Sequence, residues 1–393
     1  MVRVADARGK VLGTALYSSS SQIAIRMISR DEVGDLAALV AERIRVAIEY
    51  RRQMVSGSEA YRVVFSEADF LPGLVVDRYN DVLSVQILTQ AMDAEAVRGA
   101  IVETLVGEFQ PAGIVERVDP RIRELEQLPA REAGMMWGRK SATVVTMNAE
   151  PSAAEAAEGG AASTAALKRS ATQNQWGQHE QGKPSGVRFH YDGLGGQKTG
   201  AFLDQRENYA AAARYAHGEA LDVFCYQGGF ALHLAAKCAA VTGVDSSRPA
   251  LEMAEKNAAL NYPGREFEWM EANAFDLLRD YAAAGKKFGT IVLDPPAFAK
   301  TRRDLEKARS GYKELNLRAL KMLGPGGVFV TCSCSFHVSA AEFQETVADA
   351  ARDAHKSLRL VENRGAAKDH PFLVSVPETG YLKCLIFVVA GLG

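Results

Sequence analysis

Thr331-Cys332-Ser333-Cys334-Ser335-Phe336-His337 follows the apolar run Val328-Phe329-Val330 and sets two thiols two residues apart. On a strand, residues i and i+2 share a face, so both cysteines point the same way while the strand lasts, with Cys334 nearer its end. A thiolate at a strand end facing a cleft is a nucleophile, provided a cation such as His337 or a nearby lysine lowers its pKa. Cys334 is the candidate for that role. Cys332 and Cys225 read as packing or cleft-lining residues, because a free cysteine is most often a small buried hydrophobe. Leu293-Asp294-Pro295-Pro296-Ala297-Phe298 sets a carboxylate at the exit of another apolar run. The prolines rigidify the exit but do not account for the acid. Asp294 is therefore a candidate functional residue facing the cleft.

Two further strand ends could hold a nucleoside. Asp222-Val223-Phe224-Cys225-Tyr226-Gln227-Gly228-Gly229-Phe230 ends in glycines, which let backbone approach a ligand and turn the next helix toward it. The spacing is not G-x-G-x-x-G, so a dinucleotide site is disfavoured; a nucleoside without a pyrophosphate asks for less. Gly243-Val244-Asp245-Ser246-Ser247 follows, and an acid ending the second strand, roughly 20 residues after the glycine turn, is placed to accept ribose hydroxyls. Asn273-Ala274-Phe275-Asp276 could contact an adenine edge or cap a helix through Asn273, and both readings stay open.

Presenting these residues together requires one sheet with all of these strand ends on one edge. From Val187 onward strands and helices alternate. Strands are expected at 220–224, 240–245, 267–269, 290–294 and 326–331, with helices at 230–237, 248–259, 274–283, 307–323 and 340–354. A last pair of strands falls at 358–362 and 382–389. That alternation predicts an α/β, doubly wound, mainly parallel sheet over 187–393. Residues 29–147 read as a small α+β domain. Its first helix, about 31–55, carries Leu36, Leu39, Val40, Ile44, Ala47 and Ile48 at helical spacing, and strands follow at 61–65, 74–77, 82–87 and 113–117. Residues 1–28 read as two or three strands, too few to bury a core alone. The alanine-, glycine- and amide-rich stretch 148–186, with its lone Trp176, reads as a flexible insertion or linker.

The 393 residues are 47% hydrophobic and 24% charged, with net charge −2. This leaves room for two or three domains and no general attraction to nucleic acid, so any basic surface must be local. The five cysteines form an odd, sparse set without paired C-x-x-C ligands. A disulfide framework and a zinc site are disfavoured, and a reducing compartment is expected. No apolar run approaches the roughly 18 to 20 residues of a membrane span, and the first residues carry no signal-peptide core. The expected location is the cytoplasm, with neither membrane nor metal involved.

Asp222 with Gly228-Gly229, Asp245, Asp294-Pro295-Pro296 and the late Thr-Cys-Ser-Cys-Ser resemble class I S-adenosylmethionine-dependent methyltransferases. More narrowly, the stretch from Gly196 to Arg206 resembles the bacterial 23S rRNA (cytosine-C5) methyltransferase I family. So do Leu71-Pro72-Gly73-Leu74-Val75-Val76-Asp77-Arg78-Tyr79, Gly311-Tyr312-Lys313-Glu314-Leu315-Asn316, Asp369-His370-Pro371 and Pro377-Glu378-Thr379-Gly380-Tyr381-Leu382-Lys383. The resemblance implies a PUA RNA-binding domain, a central α+β domain and a C-terminal Rossmann-like methyltransferase domain. Of the PUA domain only the last strands (10–27) match, so 1–28 is expected to be a partial, truncated form.

The resemblance further implies S-adenosyl-L-methionine as cofactor. Its contacts are Gln197, Lys198, Thr199, Phe202, Asp204, Arg206, Asp222, Phe224, Tyr226, Gly228 and Asp294, with Asp245 and Ser246 at the ribose and Asn273 and Ala274 on the adenine side. It gives Cys334 the catalytic role, with Asp294 beside it. The implied partner is large-subunit ribosomal RNA, with a homodimer also admitted. The implied reaction is addition of the Cys334 thiolate to cytosine C6, methylation at C5, and loss of the C5 proton and the thiol. Two rivals are an RNA N-methyltransferase, for which Asp294-Pro295-Pro296 is followed by Ala297-Phe298 rather than directly by an aromatic residue, and a non-catalytic ribosome-assembly factor.

Overall fold

The computed structural model describes residues 1–148, 186–195, 202–299 and 301–391. Residues 149–185 of the insertion expected at 148–186, and Gln197, Lys198 and Thr199 of the expected cofactor segment, lie outside the described residues. Strands β1 (Val2–Ala5), β2 (Val11–Tyr17) and β3 (Ile25–Ser29) form a three-stranded antiparallel sheet. Glu126 ties it to the next unit, accepting from Ser18 Oγ at 2.8 Å and from Arg26 Nη2 at 3.2 Å.

Helix α1 (Leu36–Met54) begins at Asp35, whose carboxylate accepts from the Ala38 N–H. It buries Val40, Ile44, Ala47 and Ile48, the stripe expected from their spacing. Strands β4 (Ala60–Phe65), β5 (Leu74–Tyr79) and β6 (Val82–Ile87), helix α2 (Glu95–Phe109), strand β7 (Gly113–Glu116), helix α3 (Pro120–Leu125) and strand β8 (Gly134–Gly138) follow. The strands form a five-stranded sheet in chain order, and its apolar face packs under α1 and α2.

Strand β9 (Ala142–Met147) pairs antiparallel with β10 (Val187–Asp192). The doubly wound sheet expected from Val187 onward therefore begins later in the chain. The reason lies in β10's neighbours. Val187, Phe189 and Tyr191 bury one face, and Tyr191 stacks on Tyr79 of β5 with ring centroids 3.7 Å apart. The Arg188 and His190 N–H groups donate to the Asn261 and Asn257 side chains rather than to a strand.

The remainder is one α/β unit. Its elements are α4 (Arg206–Tyr215), β11 (Glu219–Val223), α5 (Gly229–Leu234), β12 (Ala240–Asp245), α6 (Arg248–Asn261), β13 (Glu268–Glu271), α7 (Ala274–Ala283), β14 (Phe288–Leu293), α8 (Leu305–Lys321), β15 (Leu323–Ser333), α9 (Ala340–Asp353), β16 (Ser357–Arg364) and β17 (Lys383–Ala390). The sheet order is β13-β12-β11-β14-β15-β17-β16, with the first five strands parallel and β17 antiparallel to both of its neighbours. Chain direction across the sheet reverses between β11 and β14. Ligands of such sheets sit outside the carboxyl ends of the strands at that reversal. The strand ends at Asp222, Asp245, Asp294 and Cys334 all fall on this edge.

Asp369 joins the two larger units. Its buried carboxylate accepts from the Arg62 N–H at 2.8 Å and from Arg206 at 3.1 Å, and its carbonyl accepts from Arg51 at 2.9 Å. Among the described residues no helix is long and apolar enough to cross a membrane.

Candidate active site

The turn after β11 is held in an uncommon backbone shape. Phe224 and Tyr226 have positive φ (67° and 49°), as does Gly228 at 87°. Non-glycine residues adopt such angles only where surrounding contacts impose them. One contact is visible: Asp245, ending β12, accepts the Tyr226 N–H at 3.0 Å with one carboxylate oxygen and the Ser247 N–H at 2.9 Å with the other. Each oxygen keeps lone-pair capacity for a further donor such as a hydroxyl. Ser246 stands exposed beside it. Glycine at 243 is required by close approach, since a Cβ there would lie 2.3 Å from the Trp269 ring. A Cβ on Gly229 would lie 2.5 Å from the Tyr209 ring.

Phe202, Tyr209, Phe224, Tyr226, Gln227, Gly229 and Asp294, among others, line a recess at this edge. Phe202 and Tyr226 meet edge to face at 5.0 Å. Asp222 lies behind the turn, fully buried. One of its oxygens accepts the Ala231 N–H at 2.8 Å, and the other has no partner among the described residues. Burial, with the Asp245 charge, pushes its carboxyl up to about 7, against the pull of the Ala231 bond. A nucleoside-bearing cofactor fits this ground: an aromatic recess, an acid at the second strand end, and a buried carboxylate oxygen left unpaired.

Asp294 leaves β14 with its N–H bonded to the Val223 carbonyl. Its Oδ1 accepts from Gln205 Nε2 at 3.0 Å. Burial, then the charges of Asp204 and Asp222, push its carboxyl up to about 8. At neutral pH it is therefore chiefly protonated and can donate a hydrogen bond.

Of the five cysteines, four are buried and Cys334 is half-buried. Its Sγ lies 3.9 Å from the Pro295 carbonyl, one residue beyond Asp294. Cys332 stands opposite Cys384 in the β15–β17 register, inside the sheet. The strand ends at Ser333, one residue before Cys334, so strand alternation does not reach the outer thiol; of the two, only Cys334 is partly exposed. The exit is pinned by hydroxyls: Ser333 Oγ donates to the Tyr312 hydroxyl at 3.0 Å, which lies 2.9 Å from Ser335 Oγ. Burial, followed by Asp294 and Asp204, raises the Cys334 thiol to about 11, and Lys383 opposes this. Among the described residues, Lys383 is the cation that pulls this thiol down. His337 instead packs its ring against Phe336.

Several expected cofactor contacts are otherwise employed. Arg206 is buried and ion-paired with Asp369, and it is not among the residues lining the recess. A guanidinium that deep must stay with its acid. Asp204 accepts from the Tyr381 hydroxyl at 2.6 Å. Asn273 caps α7, its side-chain oxygen accepting from the Phe275 and Asp276 N–H groups, and Ala274 is buried in the first turn. Gln205, Tyr209 and Lys383 were not singled out individually from the sequence. The first lies inside the motif that ends at Arg206, and the last ends the motif from Pro377 to Lys383. That was the only available signal.

A family model described as S-adenosylmethionine-dependent methyltransferase matches residues 88–388, and a PUA-like domain model matches residues 1–30. Ribosomal RNA large subunit methyltransferase I of Photobacterium profundum is 35% identical over 389 residues, which is 97% of this chain and 88% of the relative. The protein of that name from Pseudoalteromonas translucida is 36% identical over 391 residues, 98% of this chain and 89% of the relative. Among solved structures, SMU.776, a methyltransferase complexed with SAH, superposes with TM-score 0.76 at 16% identity, covering 99% of this chain and 91% of that one. A SAM-dependent methyltransferase from Streptococcus mutans gives 0.74 at 16% identity, covering 98% and 89%. At that identity the likeness concerns the fold.

Proposed function

The chain belongs to the S-adenosylmethionine-dependent methyltransferase family, among the relatives of ribosomal RNA large subunit methyltransferase I, and we propose that it methylates C5 of a cytosine in large-subunit rRNA through a covalent Cys334 adduct. The coarser statement, an S-adenosylmethionine-dependent rRNA methyltransferase, follows from near full-length similarity. The finer one rests on a single observation. Cys334 alone among the cysteines is not buried, and its sulfur lies beside Pro295, next to a carboxyl group that lines the recess.

Phe202, Tyr226, Asp245 and Ser246 would hold the cofactor's nucleoside portion. Bound S-adenosylmethionine supplies an electrophilic methyl group on a sulfonium. Cytosine C5 is a poor nucleophile, so the chain's residues must enrich it. The Cys334 thiolate adds to C6, the C5–C6 π pair becomes a C4–C5 double bond, and the C4–N3 π pair moves onto N3. Protonated Asp294 would donate to N3 as that charge develops. The C4–C5 enamine so formed would attack a methyl group through C5, with the C4–N3 double bond returning and the methyl–sulfonium bond breaking to leave the neutral thioether. The C5 proton leaves to solvent, its electron pair re-forms the C5–C6 double bond, and the thiolate is expelled from C6. Asp294 recovers its proton from N3. The base must leave its stack to reach a strand edge this deep.

RNA containing 5-fluorocytosine blocks the proton-loss step and should trap a covalent protein–RNA species on wild type in the presence of S-adenosylmethionine. Cys334→Ala should form none and should lose methylation by about three orders of magnitude or more. Adduct formation by the alanine variant, or a methyl group mapped to a nitrogen, would overturn the reading.

A further inference from the structure

Lys383 opens β17, opposite Ser333 in the register, and is buried. Its Nζ donates three hydrogen bonds, all to carbonyl oxygens: Ser335 at 2.6 Å, Val338 at 2.9 Å and Tyr381 at 2.8 Å. Ser335 and Val338 bound the turn that follows Cys334, itself closed by the Val338 N–H to the Ser335 carbonyl. An ammonium therefore clamps the loop that carries the thiol, and its donors are spent on backbone rather than on a carboxylate. Among the described residues no acid lies at hydrogen-bond distance from this ammonium, and a lysine so buried is costly unless its charge is used.

Resting on the reading of Cys334 as nucleophile, we propose that Lys383 is its positioning residue, holding the 335–338 turn and supplying the positive charge that stabilises the thiolate. Other charged and titratable groups bear on the pair from each side. Asp294 at the β14 exit and Asp204 before α4 oppose ionisation of Cys334; a Cys334 thiolate would add to the burial that raises the Tyr312 and Tyr381 hydroxyls; and Glu342 in the first turn of α9 acts on Lys383. Burial pushes Lys383 down to about 8, while Cys334 and Glu342 pull it upward. As the ammonium loses its proton, the clamp loses a donor and the thiolate its counter-charge.

The test uses the full chain and iodoacetamide as probe, following Cys334 carboxamidomethylation by mass spectrometry from pH 6 to 10. The other four cysteines are buried, so the labelled site is readily resolved. Lys383→Gln should slow alkylation about tenfold below pH 8, where the ammonium carries its charge, with the gap closing as pH rises past about 8. It should lower kcat for rRNA methylation by about ten- to a hundredfold while leaving S-adenosylmethionine affinity within about threefold. Lys383→Arg, which keeps the charge, should recover part of both losses. If the glutamine variant does not fold, Lys383→Met is read in the same assay. An alkylation profile unchanged in a folded neutral variant, or an arginine variant no better than glutamine, overturns the proposal. The two readings fail separately: methylation surviving Cys334→Ala would sink the nucleophile, whereas the alkylation profile judges Lys383 whatever the reaction.

Discussion

Asp294 and Cys334 stand close enough for the state of one to govern the other. An ionised Asp294 would repel the thiolate, and a protonated one removes that repulsion and gains a donor for the base. Burial together with Asp204 and Asp222 holds Asp294 protonated to about pH 8. The sign of the stability consequence follows. The unfolded chain releases this proton near the ordinary carboxylate value, so between there and pH 8 the folded state binds more protons than the unfolded one. Stability from this group is complete at low pH and is lost as pH rises through about 8. Asp294→Asn has no proton to lose. Its stability relative to wild type should therefore rise by roughly 2 kcal/mol between pH 6 and pH 9, measured by urea denaturation without cofactor. A constant difference across that range would refute the assignment.

At the scale of elements, the recess depends on how tightly the turn after β11 and the strands β12 and β13 are stacked. Trp269 on β13 fills the space over Gly243 and also lies 3.3 Å from where a Gly228 Cβ would stand. Its ring stacks with Phe267 at 5.6 Å. Gly243→Ala must push the indole or the strand aside. The expected cost is about 1–3 kcal/mol in urea denaturation, as for other overpacked cores. Weaker S-adenosylmethionine binding by calorimetry should accompany it, because the displaced indole presses on the Gly228 turn. An alanine variant of wild-type stability would mean that Trp269 yields freely.

At the scale of the molecule, Asp369 connects the central sheet to the methyltransferase sheet. Burial alone would raise its carboxyl, but His370, Arg206 and the Arg62 N–H outweigh burial and hold it well below the usual carboxylate range. Its removal leaves the Arg206 guanidinium buried without its Asp369 partner. Asp369→Ala should cost about 3–5 kcal/mol. Differential scanning calorimetry should show a lower and broader transition as the two cores cease to unfold together. A single sharp transition at the wild-type temperature would show that the domains are held by other contacts.

The strand ends that carry Asp222, Asp245, Asp294 and Cys334 were legible from sequence. Strand alternation, Pro-Pro at an exit and Gly-Gly before a helix act within a few residues, so local order reports them. The α1 stripe was legible for the same reason. The docking of β10 on β9 was not, because it turns on Tyr79 stacking with Tyr191, and on Asn257 and Asn261 taking up the β10 N–H groups. Nor was the redirection of Arg206 and Asp204 to Asp369 and Tyr381. The cation beside Cys334 is the sharpest case. His337 is its neighbour in sequence, but β17 pairing antiparallel with β15 brings in Lys383, 48 residues from Ser335. Sequence by itself determined which side chains stand at the sheet's edge, since backbone periodicity is local. Which groups burial brings against them, and hence their protonation, was decided by tertiary packing, since desolvation and Coulomb terms depend on distance in space and not along the chain.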